Sequence, residues 1–380
     1  IMGKTYRTAI IGVGAIADVH AASLVKDCER AELVAGSCRG EEKGRAFADR
    51  WGCTWYADAA EMLDRTRPDL VTICTPSGAH LDAALLCFER GLPVLCEKPL
   101  EISVERADRM IAEAEARGVY LGGIFPQRFN PVVRTVRDAA AAGRFGSIAM
   151  AQAVVPWWRD DAYYGPGRWQ GTRALDGGGA LMNQSIHTLD ALLWIAAAAA
   201  PEDGDRPVVA EVSARTAKAG HAGDLLEVED TAAAVLRFRT GGLGLVLAAT
   251  SMYPGAHRRL LVGGRDGTAE IVEDALTAWQ FREELPDDDA VRRRFAEAGS
   301  AQGSRVPLEQ HRPQASRSVS GSAAASVALP GAGLVHQRLF CAAAAVVSRA
   351  APDGAPRRGC THPAAVAVGP VLHAAGHGRV

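Results

Sequence analysis

The sequence predicts an α/β fold in which a doubly wound parallel sheet is followed by an α+β domain with an open, mostly antiparallel sheet. Two observations predict this order. Over residues 6–125, apolar strand-like runs alternate with helical patterns, which is typical of a parallel sheet with helices on both faces. After Pro126 most strand-like segments follow one another without helices between them, which favours antiparallel pairing. A chain of 380 residues is long enough for two such domains.

The predicted elements follow from this alternation. Strands are predicted at 8–13, 33–38, 70–75, 94–97 and 119–125, and helices at 17–26, 40–51, 57–65, 79–90 and 104–117. A further helix is predicted at about 131–142, and strands follow at 147–155, 208–216, 231–239, 243–250 and 258–262. The last group is separated by glycine-rich turns, which supports direct strand-to-strand connections.

A glycine-punctuated turn directly follows the first predicted strand. Gly12 and Gly14 begin the pattern G-x-G-x-x-A, in which Ala15 and Ile16 precede Ala17. In a dinucleotide site the first glycine permits a tight turn, the second lets the backbone approach a pyrophosphate, and a small third residue allows close helix packing. The phosphates then lie at the helix N-terminus. The pattern predicts a Rossmann-type dinucleotide site, although an ordinary strand-to-helix turn can have the same residues.

The cofactor is predicted to be NAD or NADP. The second predicted strand ends in Cys38 and Arg39, without the acid that binds the ribose 2′-hydroxyl of NAD. Arg39 can pair with a 2′-phosphate or stack on adenine, so both cofactors stay open. Further cofactor contacts are expected from polar and turn residues that follow the third and fourth predicted strands: Thr75, Pro76, Ser77, His80, Glu97 and Lys98.

Two segments have the residues needed for proton and hydride transfer. Lys98 directly follows a predicted strand, at the end where open α/β sheets bind ligands. Asn183, His187 and Asp190 recur at helical spacing behind three consecutive glycines, on a helix predicted to start near residue 180. We expect Lys98 and His187 to be catalytic, with Asp190 able to orient His187. A solvated lysine and a packed histidine would look the same in isolation.

These motifs together resemble the Gfo/Idh/MocA oxidoreductase family over about residues 6–283. The resemblance rests on the glycine turn, Thr75-Pro76, Glu97-Lys98-Pro99 and the segment from the three glycines to His187-x-x-Asp190. It implies a Rossmann domain, a C-terminal domain on an open antiparallel sheet, and a nicotinamide cofactor between them. It also implies that Lys98 and His187 are catalytic and that the open sheet forms a homo-oligomer, either a dimer or a tetramer. Many members have an aspartate where this chain has Asn183. Since an amide does not exchange a proton as a carboxylate does, we give Asn183 a positioning role.

The predicted reaction moves a hydride between nicotinamide and a secondary hydroxyl or ketone. His187 would remove the hydroxyl proton while Lys98 hydrogen-bonds the same oxygen. The predicted substrate is a sugar, amino sugar or cyclitol, with natural-product sugar biosynthesis as one setting. Substrate contacts are expected from Trp157, Trp169, Arg128, Asn183 and Asp190. Two alternatives stay open, an NAD-dependent glycoside hydrolase of the same fold and a dinucleotide-binding sensor without turnover.

Composition argues against other classes of function. A formal net charge of -2 gives no reason to expect nucleic acid or an anionic membrane as partner. The eight cysteines include no C-x-x-C pair and no cluster typical of a metal site, so no metal is expected. There is no apolar signal core near the N-terminus, and the apolar run at 191–200 is shorter than the ~20 residues of a membrane span. We therefore expect a cytoplasmic protein.

The predicted domain organisation has three parts. Residues 1–126 are expected to bind the dinucleotide, and residues 127–300 to bind substrate and to oligomerise. Residues 301–380 form an atypical, low-complexity segment with two acids against eight arginines. A degenerate form of the family's usual ending or a frame-shifted translation explains this segment better than a basic interaction tail does.

Overall fold

The computed structural model describes residues 5–201 and 207–296, so the expectations for residues 301–380 lie outside the described residues. The first sheet has six parallel strands: β1 (Tyr6–Ile11), β2 (Ala31–Ser37), β3 (Thr54–Tyr56), β4 (Leu70–Ile73), β5 (Val94–Cys96) and β6 (Leu121–Gly123). Their order is β3-β2-β1-β4-β5-β6. The strand order reverses between β1 and β4, and a doubly wound sheet binds its ligand at such a point.

Five helices connect these strands: α1 (Ala15–Lys26), α2 (Glu41–Trp51), α3 (Ala59–Thr66), α4 (His80–Phe88) and α5 (Val104–Ala116). The central strands are apolar because helices cover both faces of the sheet; Ile10, Val71 and Ile73 are fully buried. The predicted parallel, doubly wound arrangement is confirmed. The short edge strand β3 was missed, because its three residues carry no alternating pattern and are only partly covered.

The second sheet has seven strands: β7 (Ile148–Pro156), β8 (Val209–Ala217), β9 (Thr231–Phe238), β10 (Leu243–Ala249), β11 (Arg259–Gly264), β12 (Gly267–Val272) and β13 (Ala275–Phe281). Their order is β13-β12-β11-β7-β10-β9-β8. All neighbouring pairs are antiparallel except β7 with β10, which is parallel. The predicted open, mostly antiparallel sheet is confirmed, while β12 and β13 were not predicted as strands.

The helices α6 (Pro131–Ala141) and α7 (Ile186–Ala198) join one face of this sheet in a common core. The short helix α8 (Asp288–Ala296) lies beside β13. Strand β9 shows why one face is open, since Ala234 and Leu236 are buried whereas Val235 between them is exposed. Such alternation is typical of a sheet with one covered face.

Backbone contacts hold the three-glycine segment of the second part against the first. The Gly78 N–H, just before α4, donates to the Leu175 carbonyl at 2.9 Å. A Cβ on Gly177 would lie 2.4 Å from Cβ of Ile102, which precedes α5. Only a residue without a side chain permits this approach, so the glycines place the second half of the site beside the loop after β5.

Candidate active site

The turn between β1 and α1 has the form that a dinucleotide pyrophosphate requires. Gly12 has φ +92°, and a Cβ there would lie 2.7 Å from the backbone nitrogen of Thr75. A Cβ on Gly14 would meet nothing within 4 Å, so the space beside it is open. No side chain caps α1, which leaves its first N–H groups available to an anion. The residues present therefore fit the phosphates of the predicted cofactor.

The first turn of α1 supports the same assignment. Ala17 is fully buried, as close packing of the helix on β1 requires. Ala15 and Ile16 lie at the exposed start of the helix, and Ile16 is 40% exposed. An apolar side chain at this edge is available to cover a bound dinucleotide.

The ends of β2 and β4 form the next part of the cleft. Arg39 is exposed just beyond β2, and the Cys38 thiol donates to the Gly40 carbonyl at 3.2 Å. After β4, the Thr75 hydroxyl is buried without a hydrogen-bond partner among the described residues. Pro76 precedes a single 3₁₀ turn, Ser77–Ala79, in which Ser77 is buried. A bound ligand would give the Thr75 hydroxyl the partner that it lacks.

His80 is held by protein groups on both sides of its ring. Its side chain is only 1% exposed. Its two ring nitrogens face the carbonyl oxygens of Pro99, at 2.9 Å, and Thr75, at 3.0 Å. Both ring nitrogens are therefore engaged within the protein, and the cofactor contact of His80 stays a prediction. The ring braces the loop after β4 against the loop that contains Lys98.

Glu97 is also engaged by protein groups. One carboxylate oxygen contacts Nε2 of His20 on α1 at 2.9 Å, and the other accepts the Lys98 backbone N–H at 3.0 Å. Burial raises the pKa of Glu97, but the hydrogen bond and charge of His20 outweigh it and hold the pKa at about 2. The ion pair with His20 fixes the Lys98 loop to α1, and the cofactor contact of Glu97 stays a prediction.

Lys98 joins the two halves of the site. Its ammonium donates to the Asn183 backbone carbonyl at 2.9 Å and lies 3.4 Å from the Asn183 side-chain oxygen. Burial lowers the pKa of Lys98, whereas the charges of Glu97 and Asp176 raise it. Lys98, from the first part of the molecule, is thus in direct contact with the segment before His187, from the second part.

His187 lies in the first turn of α7, with its ring 6.3 Å from the Phe125 ring. Burial, and after it the Lys98 charge, lower the pKa of His187 to about 3. Its Nδ1 is buried and has no hydrogen-bond partner among the described residues. The imidazole is therefore neutral at pH 7 and able to accept a proton.

Asp190 does not orient His187. Its two carboxylate oxygens accept from Nε and Nη2 of Arg128 at 2.8 and 2.6 Å. Both side chains are buried, and the Arg128 guanidinium also lies 5.7 Å from the ring centres of Phe125 and Trp194. This pair fixes α7 to the turn that follows β6. The substrate contacts of Arg128 and Asp190 stay predictions.

Aromatic residues surround a cation beside Lys98. The Arg159 guanidinium lies 5.3 Å from the Trp157 ring and 5.6 Å from the Tyr163 ring. Arg159 also donates to the side-chain oxygen of Gln184 at 2.8 Å, next to Asn183 in the chain. The substrate contact of Trp157 stays a prediction. Trp169 is half-buried, and its carbonyl accepts from the Thr172 hydroxyl, which fixes the backbone there.

The segment before α7 is a single π-turn, Ala180–Gln184, rather than the start of one continuous helix. The Glu229 carboxylate accepts from the N–H groups of Gly179 and Leu181, each at 3.0 Å. A Cβ on Gly179 would lie 1.8 Å from the Glu229 carbonyl oxygen. The third glycine is thus required by the backbone of Glu229, which lies 50 positions away in the loop just before β9.

Sequence analysis missed Asp176, Glu229, Arg159 and His20. Asp176 directly precedes the three glycines, and this position was the one feature of the sequence that could have identified it as a site residue. Glu97, the partner of His20, lies 77 positions away in the chain, Gly179, a partner of Glu229, lies 50 positions away, and Gln184, which Arg159 binds, lies 25 positions away. Within the described ranges, no group of three His, Cys, Asp or Glu residues could hold a metal ion, and no helix is long and apolar enough to cross a membrane.

Comparisons with known proteins agree with this arrangement. Residues 6–124 match the model of an oxidoreductase family with an NAD-binding Rossmann fold, and residues 133–270 match the GFO/IDH/MocA C-terminal domain. The chain is 29% identical to myo-inositol 2-dehydrogenase of Thermotoga maritima over 69% of this chain and 73% of the relative. It is 31% identical to D-glucoside 3-dehydrogenase of Escherichia coli, with a match that spans 50% of this chain and 53% of that protein.

A solved structure is similar over both sheets. The WlbA dehydrogenase from Bordetella pertussis, in complex with NADH and UDP-GlcNAcA, superposes with a TM-score of 0.71 at 31% identity. The match covers 77% of this chain and 84% of the WlbA chain. Cofactor and sugar nucleotide are thus bound together in a protein with this fold and a related sequence.

Proposed function

Because the chain belongs to the Gfo/Idh/MocA family of NAD-binding oxidoreductases, we propose that it is a dehydrogenase or reductase that interconverts a secondary hydroxyl and a ketone on a carbohydrate-like substrate. The observation that carries the proposal is the contact of Lys98 with Asn183, four residues before His187. This contact supports a site that combines the Lys98 ammonium with the neutral imidazole of His187, whose pKa the Lys98 charge lowers. Those are the two groups that oxidation of an alcohol needs.

In the proposed mechanism the residues around Gly12, Gly14 and the start of α1 hold the dinucleotide. When bound, it supplies the nicotinamide ring that exchanges hydride with the substrate carbon. His187 accepts the hydroxyl proton, because its low pKa keeps it neutral. Lys98 donates a hydrogen bond to the same oxygen as its negative charge develops. The reverse reaction uses the same groups with the proton returned to the oxygen.

The proposed substrate is a sugar, amino sugar or cyclitol. Relatives are named as dehydrogenases of glucoside and myo-inositol and as a reductase of 1,5-anhydro-D-fructose. In this chain, Trp157 and Tyr163 offer ring faces beside polar donors, a combination that suits a ring with one apolar face and several hydroxyls. Asn183 and Trp169 stay proposed substrate contacts. The hydrolase and sensor alternatives are not favoured, since these relatives are named as dehydrogenases and reductases.

Cofactor preference belongs to the same proposal. The matching family model describes an NAD-binding fold, and the WlbA complex contains NADH. Arg39 at the ribose end leaves room for NADP as well. We further propose that the exposed face of the second sheet forms a homo-oligomer, dimer or tetramer. The cytoplasmic location and the domain boundaries stay predictions.

The test is reduction of NAD or NADP, followed by nicotinamide absorbance, against a panel of sugars, amino sugars, sugar nucleotides and cyclitols. Lys98→Met and His187→Gln should each lower kcat by about 10²–10⁴-fold, the usual contribution of a proton-transfer group. Cofactor binding, followed by nicotinamide fluorescence, should be retained. Lys43→Met on the exposed face of α2 and the exposed His257→Gln are matched controls.

The outcome has three forms. Reduced cofactor formed by the wild type and the controls, but not by the two site variants, supports a dehydrogenase. Release of a free sugar from a glycoside without net reduced cofactor would instead establish the hydrolase. Cofactor binding without turnover of any substrate would contradict the proposal and favour a sensor.

A further inference from the structure

Asp176 is a buried carboxyl group that the proposed mechanism does not use. It lies directly before the three glycines and is 1% exposed. One of its oxygens accepts the Gly171 N–H at 2.8 Å, and the other accepts the Asn183 side-chain N–H at 2.5 Å. Both oxygens therefore face donors, which is the pattern of an ionised carboxylate.

This contact decides which way the Asn183 amide points. With its nitrogen on Asp176, the side-chain oxygen of Asn183 faces the Lys98 ammonium, at 3.4 Å, and the Gln184 amide nitrogen, at 3.2 Å. If the amide were turned over, its NH₂ group would meet those two donors, and its oxygen would meet the carboxylate. Donors would then face donors and acceptors would face acceptors, so the turned amide is strongly disfavoured.

We propose that Asp176 is a positioning residue for Lys98, which it controls by fixing the orientation of the Asn183 side chain. The chain of contacts runs from the Asp176 carboxylate to the Asn183 amide and from there to the Lys98 ammonium. The role of Lys98 in turnover rests on the proposed function, whereas the orientation itself does not. Many members of the family have an aspartate at the position of Asn183. In this chain the carboxylate lies seven positions earlier, at Asp176, and it acts on Lys98 through the Asn183 amide.

The surroundings of Asp176 make this orientation sensitive to pH. Burial raises the pKa of Asp176 to about 7, although its hydrogen bonds from Gly171 and Asn183 and the Lys98 charge lower it. The other ionisable groups around the carboxyl are Glu229, Tyr163, Tyr164 and Arg159. A protonated Asp176 is a weaker acceptor for the Asn183 side-chain N–H, and it no longer repels the oxygen of a turned-over amide. The Asn183 oxygen is therefore held towards Lys98 less firmly as the carboxyl takes up its proton.

The first test follows the reactivity of Lys98 without any substrate. The purified protein is labelled with trace acetic anhydride across a range of pH, and acetylation of Lys98 is measured by peptide mass spectrometry, with Lys26 and Lys43 as internal standards. Asp176→Asn removes the negative charge and leaves one acceptor for two donors. The Lys98 profile should move to lower pH, because the ammonium loses stabilising partners. Where a substrate is known, kcat should fall about tenfold, the equivalent of one net hydrogen bond, with KM little changed.

The exchanged variant Asp176→Asn/Asn183→Asp tests the contact itself. It keeps one carboxylate and one amide facing each other and returns a negative charge to the neighbourhood of Lys98, so the Lys98 profile should move back to higher pH. Asn183→Ala should shift the profile in the same direction as Asp176→Asn, and the exposed Asp224→Asn is the matched control.

Thermal unfolding of each variant shows whether it is folded, so that a changed Lys98 profile is not mistaken for loss of structure. If Asp176→Asn does not fold, the Lys98 profiles of Asn183→Ala and of the exchanged variant provide the test. The proposal is overturned if a folded Asp176→Asn or Asn183→Ala protein has the wild-type Lys98 profile, or if the exchange brings no recovery. Because labelling needs no turnover, inactivity of the wild type on every substrate would refute the proposed function and leave this result standing.

Discussion

At the scale of single residues, the charge state of His187 depends on its neighbour Lys98. Burial and then the Lys98 charge lower the pKa of His187 to about 3. Lys98→Met removes the positive charge, so the pKa of His187 should rise towards the ~6.5 of a free histidine. Nitrogen-15 NMR of labelled histidine side chains over a pH titration measures this. The exposed His257 is the control, and an unchanged His187 titration would show that the two groups do not interact.

Arg39 provides a second prediction, on cofactor choice. It is exposed just beyond β2, where an acid would bind the ribose hydroxyls of NAD. Arg39→Asp should raise the ratio of kcat/KM for NAD to that for NADP by about tenfold or more, because it adds a hydroxyl acceptor and repels a 2′-phosphate. Arg39→Ala should give an intermediate ratio. Equal ratios in all three proteins would place the ribose elsewhere.

Residue chemistry in the sequence pointed to Lys98, Asn183 and His187, but it could not assign partners. Asp190 stood at the right helical spacing to orient His187, yet its partner is Arg128, 62 positions earlier. His80 and Glu97 likewise had suitable types and positions but are engaged by other protein groups. Spacing along one element predicts a shared face, whereas a hydrogen bond across the fold depends on packing that the sequence does not display.

At the scale of elements, the π-turn before α7 shows the same limit. A helix starting near residue 180 was a sound expectation from the pattern, but Glu229 binds the N–H groups of Gly179 and Leu181. The backbone therefore has a partner outside the helix, and the Ser185 N–H bonds to the Ala180 carbonyl, five residues earlier. The regular helix begins only at Ile186.

Gly179→Ala tests this docking. The added Cβ would lie 1.8 Å from the Glu229 carbonyl oxygen, so the segment must move away from the loop that precedes β9. Overpacking of this kind costs about 1–3 kcal/mol of unfolding free energy, and we expect turnover to be lost as well. Urea denaturation measures the change. Gly223→Ala, where a Cβ meets nothing within 4 Å, is the control and should leave stability unchanged.

Helix α8 is fixed by one carboxylate. Asp288 accepts from Arg144 at 2.7 Å through both oxygens and from Trp279 at 2.6 Å. The Arg144 hydrogen bonds hold the pKa of Asp288 well below its usual range. Because the folded pKa is depressed, this stabilisation is fully present above the unfolded value of ~3.9 and is lost as pH falls below it.

Asp288→Asn should therefore lower the unfolding free energy by about 2 kcal/mol at neutral pH, since it leaves the partly buried Arg144 without a charged hydrogen-bond partner. The difference from wild type should shrink as pH falls below about 4. Urea titrations at several pH values measure both effects. The exposed neighbour Asp287→Asn is the control, and a difference that does not depend on pH would contradict the ion-pair account.

At the scale of the whole molecule, the second sheet has an open face with an apolar centre. Val235 on β9, Leu243 and Leu247 on β10 and Met150 on β7 are 47%, 50%, 38% and 46% exposed, respectively. Leu243 and Met150 are paired across β10 and β7, so these side chains lie on neighbouring strands. The alternating pattern in the sequence predicted the two faces of these strands, but the order of strands that brings the exposed residues together comes from the fold.

A second copy of the chain is the proposed partner for this face. If so, Leu247→Lys should shift the protein towards monomer, because a lysine buried between two sheets would lose its hydration without a partner. Sedimentation velocity at several protein concentrations measures the mass of the particle. Lys98 and His187 lie outside this face, so cofactor binding should persist in the monomer. The matched control is Leu285→Lys, since Leu285 is 44% exposed but lies outside the sheet. A wild type that is monomeric at every concentration, or an oligomer unaffected by Leu247→Lys, would exclude this face as the interface.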